Sequence, residues 1–536
     1  MKKSVLIGGR AGQGIDRTSV LLGKILNQRG YFCFIYRDYP SLIRGGHNFS
    51  VVTFSDKPVF SQEDRFDVVL ALNPETAENY RTKLKEGGII IGGTELIPSP
   101  ETYRLEINEF IRENKSSAVF GNNLLLGALL KRFGLSPVGL DKVLREEFGP
   151  SKRKTFLAAI RAGYSYPVKS RKIILGGEAK IFLNGSQAVA RAAITSGADT
   201  FFFYPMTPAT GVFDEIGLLS KKRKEKIALV NLEDEIASIN AALGASYAGA
   251  KILVGTSGGG LDLMGEAISL AGMAEIPAVI YLAQRLGPST GVPTYTSQGD
   301  LELVLNIGHG EFPRLVVVPG DAREAFLRTN EAFYLAHKYR IPAFVVSDKH
   351  LAESYYSFPF PEWPEVFKPK ATKNNISPAV VPGGPRPARV NSYEHDEEGF
   401  TVEDPVTILR MNRKRMKKNE FLERETEKFA PVSLYGRGKK LIISCGSTKG
   451  AILDALRELR DFRFMQISYL SPFPARKVSD EIRRAEAVWL VENNLTSLLG
   501  RIIRENTGIK IDKKILKADG RPFLAGEIVR SVKSAS

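Results

Sequence analysis

The segment Thr200-Phe-Phe-Phe-Tyr-Pro-Met-Thr-Pro-Ala-Thr210 joins a very apolar run to a loop that two prolines stiffen. An apolar run of this length is typical of a buried β-strand, and the prolines mark the place where the strand ends. Open α/β sheets bind their ligands at the carboxyl ends of the strands, so the hydroxyl of Thr207 is a candidate ligand contact. A rigid strand exit that leads into a helix N-cap explains the same residues equally well.

Two later apolar runs end in polar loops of the same kind. Thr256-Ser257-Gly258 follows a strand predicted at Ile252–Gly255, and Arg285 follows one predicted at Ala278–Ala283. An arginine at a strand end can hold a carboxylate through two parallel hydrogen bonds. Three successive strand ends that carry polar loops are stronger evidence than any one of them, and we expect them to converge on one crevice.

An acidic run, Glu233-Asp234-Glu235, opens a predicted helix that is rich in small residues. Carboxylates at a helix start are favoured by the helix dipole, which explains the run without any function. The functional alternative is a carboxyl group that protonates or polarises a ring nitrogen in an apolar site.

A glycine-rich loop lies near the start of the chain, where Gly12-Gln13-Gly14 falls between a predicted strand and a predicted helix. Glycines let the backbone approach a phosphate, and helix amides favour anions. The spacing is not a clean GxGxxG, so a tight turn and an anion site explain it about equally well. Arg44 precedes a Gly pair in a later loop, and taken alone it indicates a structural ion pair.

The 536 residues suggest about three domains, and alternating strand and helix patterns predict the α/β class. The first unit is predicted to contain a mostly parallel sheet. The second begins near residue 177, with Lys180–Leu183 as its first strand. A proline-rich stretch and a basic helix at Pro405–Phe429 then form a long, largely irregular crossing arm. The predicted domains are residues 1–170, 177–357 and 439–536, with the arm at 358–438.

Composition excludes several classes of protein. Two cysteines, Cys33 and Cys445, are too few for a disulfide framework, a Cys-rich zinc site or an iron–sulfur cluster held by this chain alone. The five histidines are scattered, so no metal site is predicted. The first residues read as a strand that enters a glycine loop rather than as a signal peptide, and no apolar stretch is long enough to span a membrane. We expect a cytoplasmic protein.

The net charge of +16 could indicate an anionic partner. The densest basic runs, Lys221–Lys224 and Arg413–Lys418, each lie in a polar segment. We interpret both as solvated helix faces rather than as nucleic-acid-binding patches.

Taken together, these motifs resemble the large subunit of the 2-oxoacid:ferredoxin oxidoreductases, in the form whose γ-type domain is fused ahead of the α-type subunit. The resemblance covers nearly the whole chain in the family order. It rests on Gly12–Gly14, Arg44–Gly46, Asn122-Asn123, Leu126–Ala128, Tyr204–Pro208, Glu233–Ile236, Thr256–Gly258, Gln284–Pro293, Gln298–Leu301, Glu394–Glu397, Glu492–Asn494 and Asp519–Phe523.

The resemblance implies a γ-type α/β domain at 1–170, a pyrimidine-type thiamine diphosphate domain at 177–357 and a transketolase-C-like α/β domain at 439–536. It also implies an enzyme that decarboxylates a 2-oxoacid oxidatively, passes electrons to ferredoxin and transfers the acyl group to coenzyme A. A β subunit would hold the diphosphate with Mg²⁺ and a [4Fe-4S] cluster. The chain has no diphosphate motif of the GDG…NN type, so we expect it to be inactive alone and to form αβ or (αβ)₂, with no nucleic acid or membrane partner.

The resemblance also assigns roles to individual residues. Glu235 would contact the N1′ atom of the aminopyrimidine, Thr207 would hydrogen-bond the substrate, and Arg285 would clamp its 1-carboxylate. Tyr204 and Tyr295 would line the substrate pocket. The other assigned residues are Thr256, Ser257 and Gly258 at the cofactor, and Gly12, Gln13, Gly14 and Arg44 at an anion site for coenzyme A.

The sequence departs from the family pattern at three positions. Met206 replaces the usual Ile, Ala209 the usual Ser, and Tyr295 a frequent Lys or Arg. Loss of a cation at Tyr295 favours pyruvate and branched or aromatic 2-oxoacids over 2-oxoglutarate, and Tyr295→Arg should then raise the relative activity on 2-oxoglutarate. Two alternatives stay open: a related keto-acid oxidoreductase that does not use coenzyme A, and a basic binding protein without enzyme activity.

Overall fold

A computed structural model describes residues 2–40, 46–113, 118–171, 173, 176–223, 227–359, 382–384 and 389–534. The chain forms two compact units, one of Met1–Leu183 with Ser354–Glu362 and one of Asn184–Glu353 with Trp363–Ser536. Within these described ranges, no helix combines the length and the apolar character that a membrane span requires.

Strands and helices alternate along most of the chain. The strands are β1 (Lys3–Arg10), β2 (Phe32–Asp38), β3 (His47–Ser55), β4 (Phe66–Ala71), β5 (Leu84–Gly93), β6 (Thr102–Leu105), β7 (Ile181–Asn184), β8 (Thr200–Phe203), β9 (Ala228–Asn231), β10 (Ile252–Thr256), β11 (Ala278–Gln284), β12 (Leu315–Val317), β13 (Pro342–Asp348), β14 (Tyr355–Phe358), β15 (Val432–Gly436), β16 (Lys440–Ser444), β17 (Phe462–Ile467), β18 (Tyr469–Ser471), β19 (Val488–Glu492) and β20 (Lys513–Leu516). The helices are α1 (Ile15–Gln28), α2 (Pro74–Tyr80), α3 (Ile107–Glu113), α4 (Ala118–Phe133), α5 (Asp141–Glu147), α6 (Pro150–Tyr164), α7 (Gly185–Thr195), α8 (Thr210–Arg223), α9 (Glu235–Tyr247), α10 (Gly258–Leu263), α11 (Gly265–Met273), α12 (Leu301–Asn306), α13 (Ala322–Tyr339), α14 (Lys349–Glu353), α15 (Pro405–Met416), α16 (Lys418–Thr426), α17 (Lys449–Ala455), α18 (Ala475–Arg483), α19 (Leu498–Thr507) and α20 (Ala525–Ser534).

The first unit is built on an eight-stranded sheet in the order β6-β5-β4-β1-β3-β2-β14-β7. Its β1, β4, β5 and β6 run parallel, but β3 is antiparallel to both β1 and β2. The predicted mostly parallel sheet is therefore wrong for this half. Only eight residues join β2 to β3, which is too few for the crossover that a parallel pair needs, and the two strands accordingly pair antiparallel.

Two helices of the first unit approach each other very closely. A Cβ atom on Gly127 of α4 would lie 2.1 Å from the Ile160 carbonyl oxygen, and one on Gly163 of α6 would lie 1.8 Å from the Leu124 carbonyl oxygen. Glycine at these positions lets α4 and α6 pack backbone to backbone. The same helices bury apolar side chains such as Leu126 against the sheet.

Residues predicted as the first strand of the second unit lie elsewhere. Lys180–Leu183 does form a strand, β7, but β7 and β14 belong to the sheet of the first unit. The rings of Phe182 and Tyr355 lie 5.2 Å apart, and Phe182 also contacts Gly23 of α1. The local pattern predicts a strand correctly but does not specify which sheet it joins.

The second unit contains two sheets. The larger has the order β18-β12-β13-β11-β10-β8-β9 and is parallel except for β18, which pairs antiparallel with β12. The smaller has the order β15-β17-β16-β19-β20, with β15 antiparallel. One apolar core joins both, with Ile280 and Val316 of the larger sheet and Ile443 of the smaller completely buried. The α/β class is confirmed, and the three sheets fit the predicted chain of three α/β parts.

The basic helix predicted at Pro405–Phe429 forms as α15 and α16, with a break at Lys417. The earlier part of the predicted arm, 360–381 and 385–388, lies outside the described residues.

The basic run Arg413–Lys418 is not a solvated face, and that interpretation is wrong. Lys414 and Lys418 donate hydrogen bonds to the Glu275 carboxylate at 3.0 and 2.9 Å, and Arg415 pairs with Glu394. The Lys418 side chain is only 1% exposed. The Glu275 carboxylate is itself buried, and a buried charge is tolerated when cations pair with it. Of the other run, Lys221 is exposed, and the side chains of 222–226 lie outside the described residues.

Candidate functional site

Three polar loops leave the same edge of the larger sheet in the second unit. The strands β8, β10 and β11 are adjacent and parallel, with Phe203 paired to Gly255 and Thr256 paired to Leu282. The loops that follow these strands therefore begin side by side. The structure thus brings the loops of Thr207, Ser257 and Arg285 together.

The Arg285 side chain is hydrogen-bonded to the loop that contains Thr207. Its Nη1 atom donates a hydrogen bond to the Thr207 carbonyl oxygen at 2.9 Å, and the Thr207–Pro208 peptide is cis. This bond uses one of the five N–H donors of the guanidinium. Tyr204, on the same loop, is 40% exposed. The arrangement presents a positioned cation beside a half-buried hydroxyl and an open aromatic ring.

The neighbouring carboxylates of Asp234 and Glu235 have different environments. The side chain of Asp234 is the N-cap of α9 and accepts a hydrogen bond from the Ala237 amide at 2.7 Å. Glu235 is not needed for capping and is buried, and its Oε1 atom has no hydrogen-bond partner among the described residues. A buried carboxylate oxygen without a partner is costly, so this oxygen is a candidate contact for a bound group.

A glycine makes room beside Glu235. A Cβ atom on Gly260 would lie 2.6 Å from Oε1 of Glu235 and 2.1 Å from Oγ1 of Thr256. Thr256 and Ser257 are fully buried, and Oγ of Ser257 also has no hydrogen-bond partner in the described part of the chain. These polar atoms and the adjoining glycine loop form a cradle suited to a polar ring, and the residues present fit an aminopyrimidine.

Asp300 is a member of the site that the sequence reasoning did not single out. A Cβ atom on Gly258 would lie 2.6 Å from its Oδ2 atom, so its carboxyl group lies against the glycine loop. Burial and, to a smaller extent, the neighbouring Asp262 carboxyl group raise the pKa of Asp300 to about 6, against the opposing effect of the Arg285 guanidinium. Asp300 stands within the Gln298–Leu301 motif, and this is the signal that could have pointed to it.

The charge of Arg285 is balanced within the site. Burial lowers the pKa of its guanidinium, while the carboxyl groups of Asp300 and Glu235 raise it. An arginine stays protonated under these conditions. The site therefore holds one fixed cation that interacts with two acidic groups.

Tyr295 contacts a second arginine that the sequence reasoning also missed. The Tyr295 carbonyl oxygen accepts a hydrogen bond from the Leu286 amide at 3.1 Å, which brings Tyr295 beside the strand end that carries Arg285. The guanidinium of Arg521 lies 3.6 Å from the centre of the Tyr295 ring. Arg521 belongs to the Asp519–Phe523 motif, whose place in the chain gave no indication of this contact.

The glycine loop of the first unit forms a hydrogen-bonded turn, in which the Gln13 amide donates to the Arg10 carbonyl oxygen at 3.1 Å. Gly12 and Gly14 have φ of 85° and 80°, which favours glycine. The Gln13 side chain accepts from the Arg10 amide and donates to the Leu72 carbonyl oxygen, so it fastens the turn. A Cβ atom on Gly12 would meet nothing within 4 Å, so this face of the loop is open. Arg44, predicted at the same anion site, lies outside the described residues.

Family models match both units of the chain. Residues 191–414 match the thiamine diphosphate-binding domain of pyruvate flavodoxin/ferredoxin oxidoreductases, and residues 4–166 match the pyruvate ferredoxin/flavodoxin oxidoreductase domain. Fold and site thus define a thiamine diphosphate-binding oxidoreductase subunit.

Individual relatives extend the match to the full length. The 2-oxoacid:ferredoxin oxidoreductase subunit alpha of Saccharolobus solfataricus is 31% identical over 100% of this chain and 98% of its own. The 2-oxoglutarate synthase subunit KorA of Methanocaldococcus jannaschii is 33% identical over 55% of this chain and 83% of its own. A solved structure of 2-oxoglutarate:ferredoxin oxidoreductase from Magnetococcus marinus, with 2-oxoglutarate, coenzyme A and succinyl-CoA bound, superposes with a TM-score of 0.88 at 30% identity and covers 99% of both chains. This chain belongs to the α subunits of the 2-oxoacid:ferredoxin oxidoreductases, as its motifs predicted.

Proposed function

We propose that the site around Glu235, Thr207 and Arg285 serves the oxidative decarboxylation of a 2-oxoacid to acyl-CoA and CO₂, with electrons passed to ferredoxin. The observation that carries this proposal is the buried Oε1 atom of Glu235, which has no partner among the described residues and lies beside the Gly260 backbone. An aminopyrimidine ring nitrogen would supply the missing partner. The bound 2-oxoglutarate and coenzyme A of the Magnetococcus marinus relative support the same chemistry.

Glu235 would hold a proton at the N1′ atom of the aminopyrimidine. Its burial keeps water away, and a carboxyl group shares a proton most effectively with a ring nitrogen in such a dry setting. Thr256, Ser257 and Gly258 would line the ring. Thiamine diphosphate, when bound, supplies the electron sink for the loss of CO₂.

Arg285 would hold the 1-carboxylate of the 2-oxoacid. Its hydrogen bond to the Thr207 carbonyl oxygen fixes one edge of the guanidinium before the substrate arrives, so less orientational freedom is lost on binding. The Thr207 hydroxyl would contact the substrate from the same loop. Tyr204 and Tyr295 would form the walls of the pocket.

A β subunit would complete the enzyme. The chain contains no GDG…NN motif and only two cysteines, so the diphosphate with its Mg²⁺ and a [4Fe-4S] cluster would lie in the partner. The roles of residues 1–170, 177–357 and 439–536 as γ-type, pyrimidine-binding and transketolase-C-like domains belong to the same proposal. The open face of Gly12–Gly14 would hold a phosphate of coenzyme A, and the assembly would be αβ or (αβ)₂ in the cytoplasm.

A turnover assay on co-expressed α and β subunits tests the proposal. It would supply thiamine diphosphate, Mg²⁺, coenzyme A, a viologen dye and a panel of 2-oxoacids. We expect dye reduction that needs both subunits and coenzyme A. Reduction without coenzyme A would favour a keto-acid oxidoreductase of another kind, and no reduction by a cluster-loaded complex on any 2-oxoacid would contradict the proposal.

A further inference from the structure

We infer that the first unit contains a binding site for a small phosphate monoester that carries an apolar or aromatic group, in a cavity at the edge of the sheet where β1 begins. The cavity has a volume of about 440 Å³, which lies within the range of ligand pockets, about 300–1,000 Å³. None of its lining residues belongs to the site around Glu235. The inference therefore goes beyond the proposed function and does not depend on it.

The cavity lies at the opposite end of β1 from the glycine loop Gly12–Gly14. Lys3 begins β1 and pairs with Phe54, near the end of the antiparallel β3, and both residues line the cavity. The glycine loop follows β1 after Arg10, and a strand of eight residues is about 25 Å long. The cavity is therefore not part of the anion site proposed at that loop.

Apolar side chains form much of the cavity lining. The rings of Tyr31 and Phe54 lie 5.6 Å apart at 80°, and the rings of Phe54 and Phe133 lie 5.2 Å apart at 87°. Ile173 lines the cavity together with them. Because the three rings pack edge to face and are buried, this lining has a fixed shape, which suits an apolar or aromatic group.

Two guanidinium groups meet at the cavity beside Gly87. Nη2 of Arg132 donates a hydrogen bond to the Gly87 carbonyl oxygen at 2.6 Å, and Nη1 donates to the Lys169 carbonyl oxygen at 3.0 Å. A Cβ atom on Gly87 would lie 3.2 Å from Nη1 and 3.4 Å from Nη2 of Arg171. The Arg171 amide also donates to the Arg132 carbonyl oxygen at 2.6 Å, so the backbone joins the two arginines.

Neither Arg132 nor Arg171 forms an ion pair with a carboxylate among the residues that the structure describes. Arg132 is only 6% exposed, and both of its hydrogen bonds go to neutral carbonyl oxygens, which leave its charge uncompensated. Burial and the neighbouring Arg171 lower the pKa of the Arg132 guanidinium, against the smaller effects of Tyr103 and Asp67. A buried cation is costly without an anion beside it, so an anionic ligand would stabilise this pair.

The two carboxylates that line the cavity have partners of their own. Asp67 pairs with Lys3 at 2.7 Å and with Lys85 at 3.0 Å, and Oδ1 of Asp56 accepts a hydrogen bond from the Ser55 hydroxyl at 2.9 Å. With the two arginines, four cations face two carboxylates, so the cavity keeps an excess of positive charge. Two adjacent guanidinium groups match the double charge of a phosphate monoester better than the single charge of a carboxylate.

Isothermal titration calorimetry of the αβ holoenzyme with phenyl phosphate tests the inference. Thiamine diphosphate and coenzyme A are present at saturation, so the probe does not bind at their sites. We expect a Kd of about 1 mM or below for phenyl phosphate. Inorganic phosphate, which lacks the ring, and benzoate, which lacks the second charge, should each bind at least about 10-fold more weakly.

Arg171→Met should weaken the binding of phenyl phosphate about 10- to 100-fold, the loss of hydrogen bonds to a charged group. Arg161→Met, at an exposed arginine of α6, is the matched control and should leave the Kd unchanged. Ile173→Trp places a larger side chain in the cavity and should abolish binding, which provides a second variant should Arg171→Met fail to fold.

Several results would overturn the inference. These are the absence of phenyl phosphate binding, an unchanged Kd in Arg171→Met or Ile173→Trp, and equal Kd values for phenyl phosphate and inorganic phosphate, which would show an adventitious ion only. Binding that disappears when coenzyme A is added would assign the probe to the coenzyme A site. Because the readout is binding, it stays valid whether or not the holoenzyme turns over a 2-oxoacid.

Discussion

The guanidinium of Arg285 donates a hydrogen bond to the carbonyl oxygen of Thr207 at 2.9 Å, although 78 positions separate the two residues in sequence. They follow β11 and β8, which are not neighbours, because β10 lies between them. The hydrogen bond thus links the loops that follow β11 and β8, on either side of the strand β10. Since it uses the backbone of Thr207, the anchor does not depend on the threonine hydroxyl.

Replacement of Arg285 tests the clamp. Arg285→Met should lower kcat/KM for any accepted 2-oxoacid by about 10- to 150-fold, which corresponds to the loss of a charged hydrogen bond. Arg285→Lys should retain only part of the wild-type kcat/KM, because an ammonium group cannot make the planar bidentate contact. Steady-state kinetics of the αβ enzyme measure both. Near-normal values for the methionine variant would exclude the clamp.

Replacement of Glu235 tests the acid–base role. Glu235→Gln keeps the size of the side chain but cannot share a proton in the same way, so turnover should be abolished while the subunits still assemble. Glu233→Gln is the matched control, since it makes the same change two residues earlier at an exposed side chain. Turnover and gel filtration of both variants provide the measurement. Substantial activity of the Glu235 variant would remove that residue from its assigned role.

The raised pKa of Asp300 predicts a pH-dependent effect on stability. Its pKa is about 6 in the folded chain, and an unfolded Asp titrates near 4, so the folded state binds more protons between these values. The free energy of unfolding therefore falls as the pH rises through that window, and the ionised carboxyl group costs stability above pH 6.

Asp300→Asn should accordingly stabilise the chain by about 1–3 kcal/mol near pH 8, with the gain disappearing towards pH 4. Urea unfolding at several pH values would follow this difference. Asp214→Asn, at an exposed position of α8, should produce no such trend. A gain that does not vary with pH would show that the folded pKa of Asp300 is not raised.

The buried pair of Lys418 and Glu275 should contribute strongly to stability. Lys418→Met leaves a buried carboxylate short of one cation, a change that costs about 3–5 kcal/mol when no other partner remains. Lys414 still contacts Glu275, so we expect about 2–4 kcal/mol in urea unfolding. Lys414→Met removes the more exposed partner and should cost less than about 1 kcal/mol. Equal effects of the two variants would contradict the assignment of the buried contact to Lys418.

The sequence located the strand ends of the site because each is marked locally. An apolar run followed by prolines, glycines or a polar residue identifies the carboxyl end of a strand without reference to the rest of the chain, as at Thr207, Ser257 and Arg285. The family resemblance then joined these loops into one site. The α/β class followed from the same alternation of patterns.

Contacts between residues that are far apart in the sequence could not be predicted from local sequence patterns. Arg521 contacts the Tyr295 ring across more than two hundred residues, and Asp300 lies partly buried against Gly258; no local pattern encodes either contact. The basic run at Lys418 looked solvated because its partner, Glu275, is 143 positions away. Similarly, β7 has the pattern of any short strand, and only the packing of Phe182 determines the sheet that it joins.

Both cysteines of the chain are buried, and burial raises the pKa of each thiol above its ordinary value. Alkylating reagents attack thiolates at the surface, so iodoacetamide should leave Cys33 and Cys445 of the folded chain unmodified. Inactivation of the assembled enzyme by such reagents would therefore report on a different polypeptide. A cysteine introduced at any exposed position would be the sole reactive one in this chain, ready for a spectroscopic label without prior removal of native thiols.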